Sequence, residues 1–509
     1  MKHFVISIIG LAVFCSSATA QLTDKQQISK LNSVYEQIRD NYVDDVSLEP
    51  LVQEAIIATF KELDPHSKYL TREEMEASKA RIRGEFAGIG INYIIHNDTL
   101  VVRSTITNSP ARKKKIQPND RITAINSQNI VGLSTDSIAS LLKGGTGSLA
   151  TLRVERRGAI EPLDISIKRE LIEQSAISAA LRFGDVGYIS IESFSRRLAN
   201  DFYSAYTNLG DIKSLVIDLR DNGGGLISAA IDLTSLFLSK GDVIVTTEGR
   251  NDSMTYSKKR DTKPIDIPLV VLINENSASA SEIFAGAIQD HDRGMVVGHT
   301  SFGKGLVQRV IKLKDGSGIS LTIARYKTPS GRIIQRPYTM GEGEAYISDS
   351  IRYMHPDSIP HHDRPVYKTL KLGREVYGGG GITPDEYIDI SDFRITNSVL
   401  RVVNNSTIDR MAIDFIDKVS LGALLSKYPT MEDFYVQYAI GEELRKELYS
   451  KVEQSDEEIS QKDNVYLCTI FKCALAKRLY EDYGSTYIYV LEYDPMAQRA
   501  IAIANSKII

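Results

Sequence analysis

Residues 268–308 read PLVVLINENSASASEIFAGAIQDHDRGMVVGHTSFGKGLVQ. A continuous apolar run (Pro268–Asn274), a helical stretch (Ser281–Asp290) and a second apolar run (Gly294–Gly298) follow one another. The same alternation precedes them: strand Val186–Ile191, helix Leu198–Leu209, strand Ser214–Leu219, helix Leu226–Leu238. Strands that are apolar at every position, not at alternate ones, belong to a sheet covered on both faces. Repeated β-α-β crossovers of this kind predict a layered α/β core. Such cores gather functional groups where a strand ends and the next helix begins.

Two of these junctions carry chemistry. Asp218-Leu219-Arg220-Asp221-Asn222-Gly223-Gly224-Gly225 places three glycines between strand and helix, so backbone N–H groups can turn inward. That pattern suits a phosphate cradle, an oxyanion hole or simply a tight turn. The second junction holds Ser277, Ser279 and Ser281 among small residues. Ser281 and Glu282 suit a helix start, as N-cap and first-turn acid. Ser277 and Ser279 then remain as candidate nucleophiles. A serine needs a base. None of the eight histidines is well placed for it: His3 is removed with the leader, and His66, His96, His291, His299, His355, His361 and His362 read as surface or packing residues. Lys304, between Gly303 and Gly305, is the better base, provided burial lowers its pKa by about three units. Gln308, one helical turn's worth of residues further on, could hold the amine in line. The string resembles a phosphate loop only superficially, because Gly305 follows the lysine and Leu306–Leu313 reads as a strand.

The 509 residues are 42% hydrophobic and 25% charged with a net charge of −4, which excludes wholesale disorder and offers nucleic acid no basic surface. Residues 1–20 read as a cleaved leader: Lys2 and His3, an uncharged run Phe4–Phe14 too short to span a bilayer, then Ala18-Thr19-Ala20. Cleavage after Ala20 implies export, to a periplasm or beyond, with no stable membrane insertion. Cys468 and Cys473 lack nearby histidines and read as buried thiols. His361-His362-Asp363 has no accompanying ligand set, so no metal is expected. Residues 21–82 form an N-terminal helical segment, with helical stripes across 24–82. It is too small to hold its own core, so it should pack on another domain or a second subunit. Residues 83–170 are mostly β: Gly90–Ile95, Thr99–Val102, Arg121–Ile125 and Thr151–Glu155, with one helix at Ser134–Leu142. Residues 334–380 make a long polar excursion, and 394–509 a mostly helical tail.

These motifs, in this order, closely resemble the carboxy-terminal processing proteases, the tail-specific serine peptidases of the S41 type. Leu63-Asp64-Pro65-His66-Ser67 resembles the segment before that family's PDZ domain. Phe86-Ala87-Gly88-Ile89-Gly90-Ile91 resembles the PDZ loop that takes a peptide's terminal carboxylate. The strings DLRDNGGG, SASASEIFAGAIQD, SFGKGLVQ, Thr328-Pro329-Ser330-Gly331-Arg332 and Gly381-Ile382-Thr383-Pro384-Asp385 belong to the peptidase core. The resemblance implies an α+β multidomain protein: an α/β layered, crotonase- or ClpP-like peptidase core (171–393), an inserted β-rich PDZ domain (83–170) and a C-terminal helical domain (394–509). It implies a serine endopeptidase that holds substrate C-termini in the PDZ domain and cleaves near them, without a cofactor. Ser279 would be the nucleophile, Lys304 the general base and Gln308 its orienting group. Asp290 matches an acid that some members require, although its place at the far end of the helix favours a structural role. Backbone N–H groups of Ala280 and of Gly224 or Gly225 would form the oxyanion hole, and Gly88, Ile89, Gly90 and Ile91 the carboxylate loop. Partners would be proteins or peptides with free C-termini, and a second copy of the chain. The alternative is a non-catalytic PDZ adaptor on a degenerate core; a crotonase-type acyl-CoA enzyme would need neither the lysine nor the PDZ domain. One departure stands out: Lys115-Ile116-Gln117-Pro118-Asn119-Asp120 has Lys115 and Asn119 where the family has glycines.

Overall fold

The computed structural model describes residues 22–348, 364–390, 395–452, 459–480 and 487–506. The expected leader with its cleavage point, and the cluster His361-His362-Asp363 with His355, lie outside the described residues. The chain divides into two compact units, one ending at Leu63 and the other running from Asp64.

The first unit is a pair of helices, Asp24–Asn41 and Leu48–Lys61. Thr23 and Gln26 cap the first reciprocally: Gln26 N donates to Thr23 Oγ1 and Thr23 N to Gln26 Oε1. No residue of either helix is buried, as expected of a segment without its own core.

The second unit is built on a six-stranded sheet in the order Ile177–Phe183, Val186–Ile191, Ser214–Asp218, Leu269–Ile273, Met295–Gly298, Glu386–Tyr387. Its first pair is antiparallel and the remaining pairs are parallel. Alternate side chains explain the unbroken apolar runs. Leu215, Ile217, Leu269, Val271 and Ile273 pack under helices Leu198–Asn208, Ile227–Ser235 and Ala280–Asp290. Val216, Val270, Leu272 and Val297 point the other way, onto Met496, Ala497, Ala500 and Ile503 of the final helix, Pro495–Ser506. The last helix therefore covers the second face of this six-stranded sheet. The helices from Asn397 to Tyr480 bury a separate core around Phe434, Phe471 and Ile416. Local periodicity could not separate the two groups, because amphipathicity does not name the surface that receives it.

The helical reading of 24–82 also needs correction. Lys68–Leu70 is a strand, antiparallel to Gly318–Lys327 in a second sheet that includes Leu306–Lys312, and helix Arg72–Arg83 follows it. A three-residue strand has too little pattern to be seen beside two helices.

The β-rich domain forms a sheet with Ile91–His96 at one edge, followed by Thr99–Thr105, Arg121–Ile125, Leu149–Glu155 and Leu163–Lys168. Its helix, Thr135–Leu142, begins at the N-cap Ser134, whose Oγ accepts from Ser137 N. Lys115 (φ 59) and Asn119 (φ 69) both adopt left-handed backbone. The turn is kept by hydrogen bonds from Arg156 Nη2 to Lys115 O (2.7 Å) and from Arg156 to Asp120. The tail helix Thr407–Lys418 docks on this domain: Ile413 packs on Ile94 and Val101, His96 Nε2 lies 2.8 Å from Asp414, and Arg103 bonds Asp409 at 2.5 Å.

Candidate active site

The N-cap of the helix Ala280–Asp290 lies two residues earlier than Ser281, and this selects among the serines. Ser279 is the N-cap; Ser281, expected there, lies inside the first turn, buried, and donates to Asn222 O at 2.9 Å. Ser277 is also buried; its hydroxyl donates to Leu219 O (2.8 Å) and accepts from Asn274 N (2.9 Å). Both hydroxyls build the turn. Ser279 alone remains partly exposed, with φ 57 and ψ −111. Such a backbone costs a non-glycine residue about 1–3 kcal/mol and persists only where the surroundings enforce it.

Asn222 and Glu282 enforce it. Asn222 O accepts from Ala278 N (3.0 Å) as well as from Ser281, while Asn222 Nδ2 donates to Ile191 O (2.8 Å). The glycine loop thereby lies against the serine turn: a Cβ on Gly224 would stand 2.8 Å from Ala280 N and 2.9 Å from Ser279 Cβ. Gly224 N is engaged by Asn222 Oδ1 at 2.8 Å, so of the two glycines expected to donate inward, Gly225 is the better fit. Ala280, as the first helical residue, has an N–H with no intrahelical acceptor.

Glu282 is fully buried and accepts four hydrogen bonds: from Ser301 Oγ (2.5 Å) and Gly303 N (2.7 Å) on Oε1, and from Ser279 N (2.8 Å) and Lys304 N (2.9 Å) on Oε2. Burial raises its pKa, while these four donors pull it back. Four donors fill the acceptor sites of an ionised carboxylate, whereas a protonated acid would have to give one up. The first-turn acid of the sequence reading is thus the link between the serine turn and the lysine loop.

Lys304 is half-buried, and burial pushes its pKa below the usual lysine value, opposed by Glu282, reinforced by Lys68 and opposed again by Asp64. Two members of that list belong to a segment the sequence had placed before the PDZ domain. Asp64-Pro65-His66-Ser67 lies within electrostatic reach of the lysine; His66, set aside as a packing residue, is pushed down to about 4, first by burial and next by Lys304. Its ring packs edge-on against Tyr346, with centroids 5.3 Å apart. No spacing rule could have found this, since Asp64 comes within electrostatic reach of Lys304 through the pairing of Lys68–Leu70 with the long strand and through Thr322 on that strand. Gln308 faces Thr322 across the strands and donates to its hydroxyl (Nε2 to Oγ1, 3.2 Å).

Asp290 is not brought to this group. It ends the helix that Ser279 begins, about 15 Å along the axis, and forms an ion pair with Arg332 at 2.7 Å, both side chains fully buried. It also accepts from Ser330 N (2.9 Å). Gly88, Ile89, Gly90 and Ile91 stand together at the head of the edge strand Ile91–His96. Ile89 O and Gly90 O accept from Ala111 N and Ile106 N, which pins the loop, and Gly90 has φ 81.

A serine at a strained strand-to-helix turn, a desolvated lysine tied to it through one carboxylate, and an attached PDZ-type domain define a serine-type peptidase. The family description "Peptidase family S41" matches residues 185–340, and "PDZ domain" matches 101–156. The carboxy-terminal-processing protease of Bartonella bacilliformis is 37% identical over 337 residues, covering 65% of this chain and 77% of that one. A probable CtpA-like serine protease of Staphylococcus epidermidis is 32% identical over 402 residues, covering 74% and 80%, and one from Staphylococcus aureus is 32% identical over 368 residues, covering 70% and 73%. The chain belongs to the S41 family of carboxy-terminal-processing serine proteases. It is a hydrolase that acts on peptide substrates, and its core and PDZ domain are those of the family. Among the described residues no helix is long and apolar enough to cross a membrane, and no cluster of potential metal ligands occurs.

Proposed function

We propose that Ser279 and Lys304 form the catalytic dyad and that the enzyme cleaves proteins near their C-termini. The observation that carries this reading is the shared Glu282 oxygen: one buried carboxylate fixes the backbones of both residues, so the hydroxyl and the amine are presented from a single rigid frame. A neutral Lys304 amine takes the hydroxyl proton as Ser279 Oγ attacks the scissile carbonyl. The resulting ammonium returns the proton to the leaving amine, and water then hydrolyses the acyl-enzyme by the same route. Ala280 N–H and Gly225 N–H suit the oxyanion; losing one such donor typically costs about 10²–10³ in rate. Gln308 supports the amine, and Asp290 anchors the far end of the helix through Arg332. The chain-end of a substrate would add to the edge strand Ile91–His96, its carboxylate over the Gly88–Ile91 loop.

Ser279→Ala and Lys304→Ala should each abolish cleavage of a protein carrying an apolar free C-terminus, while His66→Gln and His291→Gln retain it. Full activity in Lys304→Ala would remove the dyad; an inactive wild type that still binds C-terminal peptides would favour the adaptor. Export through the 1–20 leader and self-association complete the reading. Ile28, Leu31 and Val34 expose an apolar stripe on the first helix, which suits a second copy of the chain. Analytical ultracentrifugation of the mature chain tests it: a monomer at micromolar concentration would remove the oligomer.

A further inference from the structure

Two side chains of the turn Asp64–Ser67 hold one residue of the second sheet. Thr322 Oγ1 donates to Asp64 Oδ1 (2.9 Å), and Thr322 N donates to Ser67 Oγ (3.0 Å). Ser67 Oγ in turn donates to Asp64 Oδ2 (2.5 Å), and the backbone N–H groups of His66 and Ser67 close on Asp64 Oδ1 at 3.0 Å each. The carboxylate is held below its usual range: burial opposes this, but the four hydrogen bonds outweigh it.

This arrangement fixes a choice that an amide cannot make for itself. The two ends of a glutamine amide have nearly the same shape, so only the surrounding hydrogen bonds decide which atom points where. A threonine hydroxyl has one proton. An ionised Asp64 can only accept, so the proton of Thr322 is committed to it. Thr322 Oγ1 can then only accept from its cross-strand neighbour Gln308, which must offer Nε2, as observed at 3.2 Å. The carbonyl Oε1 of Gln308 is then the end of the amide left to accept from another donor. Asp64 acts electrostatically on the Lys304 amine, and Gln308 lies on the strand Leu306–Lys312 that leaves the Lys304 loop.

We propose that Asp64 and Thr322 are positioning residues that lock the Gln308 amide with Oε1 toward the Lys304 amine. An amine proton is then held on Gln308 and the nitrogen lone pair is directed at Ser279. With the amide reversed, Gln308 would donate to the amine and compete for that lone pair. The proposal rests on the Ser279/Lys304 dyad, and it gives the Asp64-Pro65-His66-Ser67 segment a function in catalysis and not only in folding.

The test uses the full mature chain and a fluorogenic peptide with a free C-terminus. Thr322→Val keeps the side-chain shape and removes the hydroxyl. It should lower kcat by about 10–100-fold with little change in KM, and move the acidic limb of kcat/KM to lower pH, because a donor then faces the ammonium. Thr322→Ser should restore both readouts. In a Gln308→Ala background Thr322→Val should be silent, since the relay has no further target. If Thr322→Val does not fold, Thr322→Ala removes the same hydroxyl and is read by the same cycle. Wild-type kcat and pH profile in Thr322→Val, or an equal loss with and without Gln308, would overturn the relay while Ser279→Ala and Lys304→Ala stay inactive. Activity in either of those two would remove the dyad and the relay together.

Discussion

Ser279 and Lys304 donate their backbone N–H groups to the same oxygen, Oε2 of Glu282, at 2.8 and 2.9 Å. The spacing of the two backbones, and with it of the proposed nucleophile and base, is thereby set by a fully buried side chain.

Glu282→Gln should uncouple them. An amide offers two N–H groups where two of the four existing donors now point, leaving them facing one another without an acceptor. Each buried donor stranded in this way costs about 1–3 kcal/mol. The variant should lose at least about 10² in kcat and several degrees in melting temperature, measured by peptide cleavage and calorimetry. Glu282→Gln with unchanged kcat would show that the shared oxygen does not set the dyad.

The pH dependence follows from Lys304. Its pKa is lowered by burial, and as the proposed general base it works in its neutral form. Activity should therefore be absent at low pH, rise as the amine deprotonates and level off below the ordinary lysine value of 10.5. Lys304→Arg, which stays charged, should show no rising limb. A wild-type profile still climbing at pH 10.5 contradicts the desolvated base.

Asp290 and Arg332 make a fully buried ion pair at the opposite end of the helix from Ser279. Asp290→Asn strands a buried guanidinium and should cost about 3–5 kcal/mol of stability. In the fraction that folds, kcat should remain within about threefold of wild type. Urea titration with activity normalised to folded protein separates the two effects. A large kcat loss in fully folded protein would return Asp290 to the active site.

Gly90 adopts φ 81, and a Cβ there would lie 2.3 Å from Ser109 Cβ. Gly90→Ala should distort the carboxylate loop. Peptides with a free C-terminus should bind the variant at least about tenfold more weakly, while a C-terminally amidated peptide, already weak on wild type, should be unaffected. Fluorescence anisotropy reads both; equal binding of acid and amide by the wild type would remove the loop from recognition.

His66 is held near 4 in the folded chain against 6.5 for the free side chain, so the unfolded chain takes up its proton first as pH falls. The stability that neutral His66 contributes is complete above pH 6.5 and is lost on acidification toward pH 4, a difference on the order of 3 kcal/mol. Urea midpoints for wild type and His66→Gln should therefore converge between pH 7 and pH 4.5. Parallel slopes would mean that His66 is not the group that titrates.

The sequence by itself determined the layered core, the order of its strands and helices, the three serines, and the lysine as the plausible base. These rest on short-range signals: apolar runs, glycine turns and helix starts act over a few residues. Tertiary structure alone decided which serine is free, because Ser277 and Ser281 are consumed by Leu219 O and Asn222 O, acceptors supplied by a different strand-to-helix junction. It also decided that the last helix, and not the preceding helical domain, covers the second face of the sheet, and that Asp64 and His66 come within electrostatic reach of Lys304. Hydrogen-bond partners and buried faces are chosen among residues hundreds of positions apart, and no local pattern encodes that choice. It is made only when the strands pair.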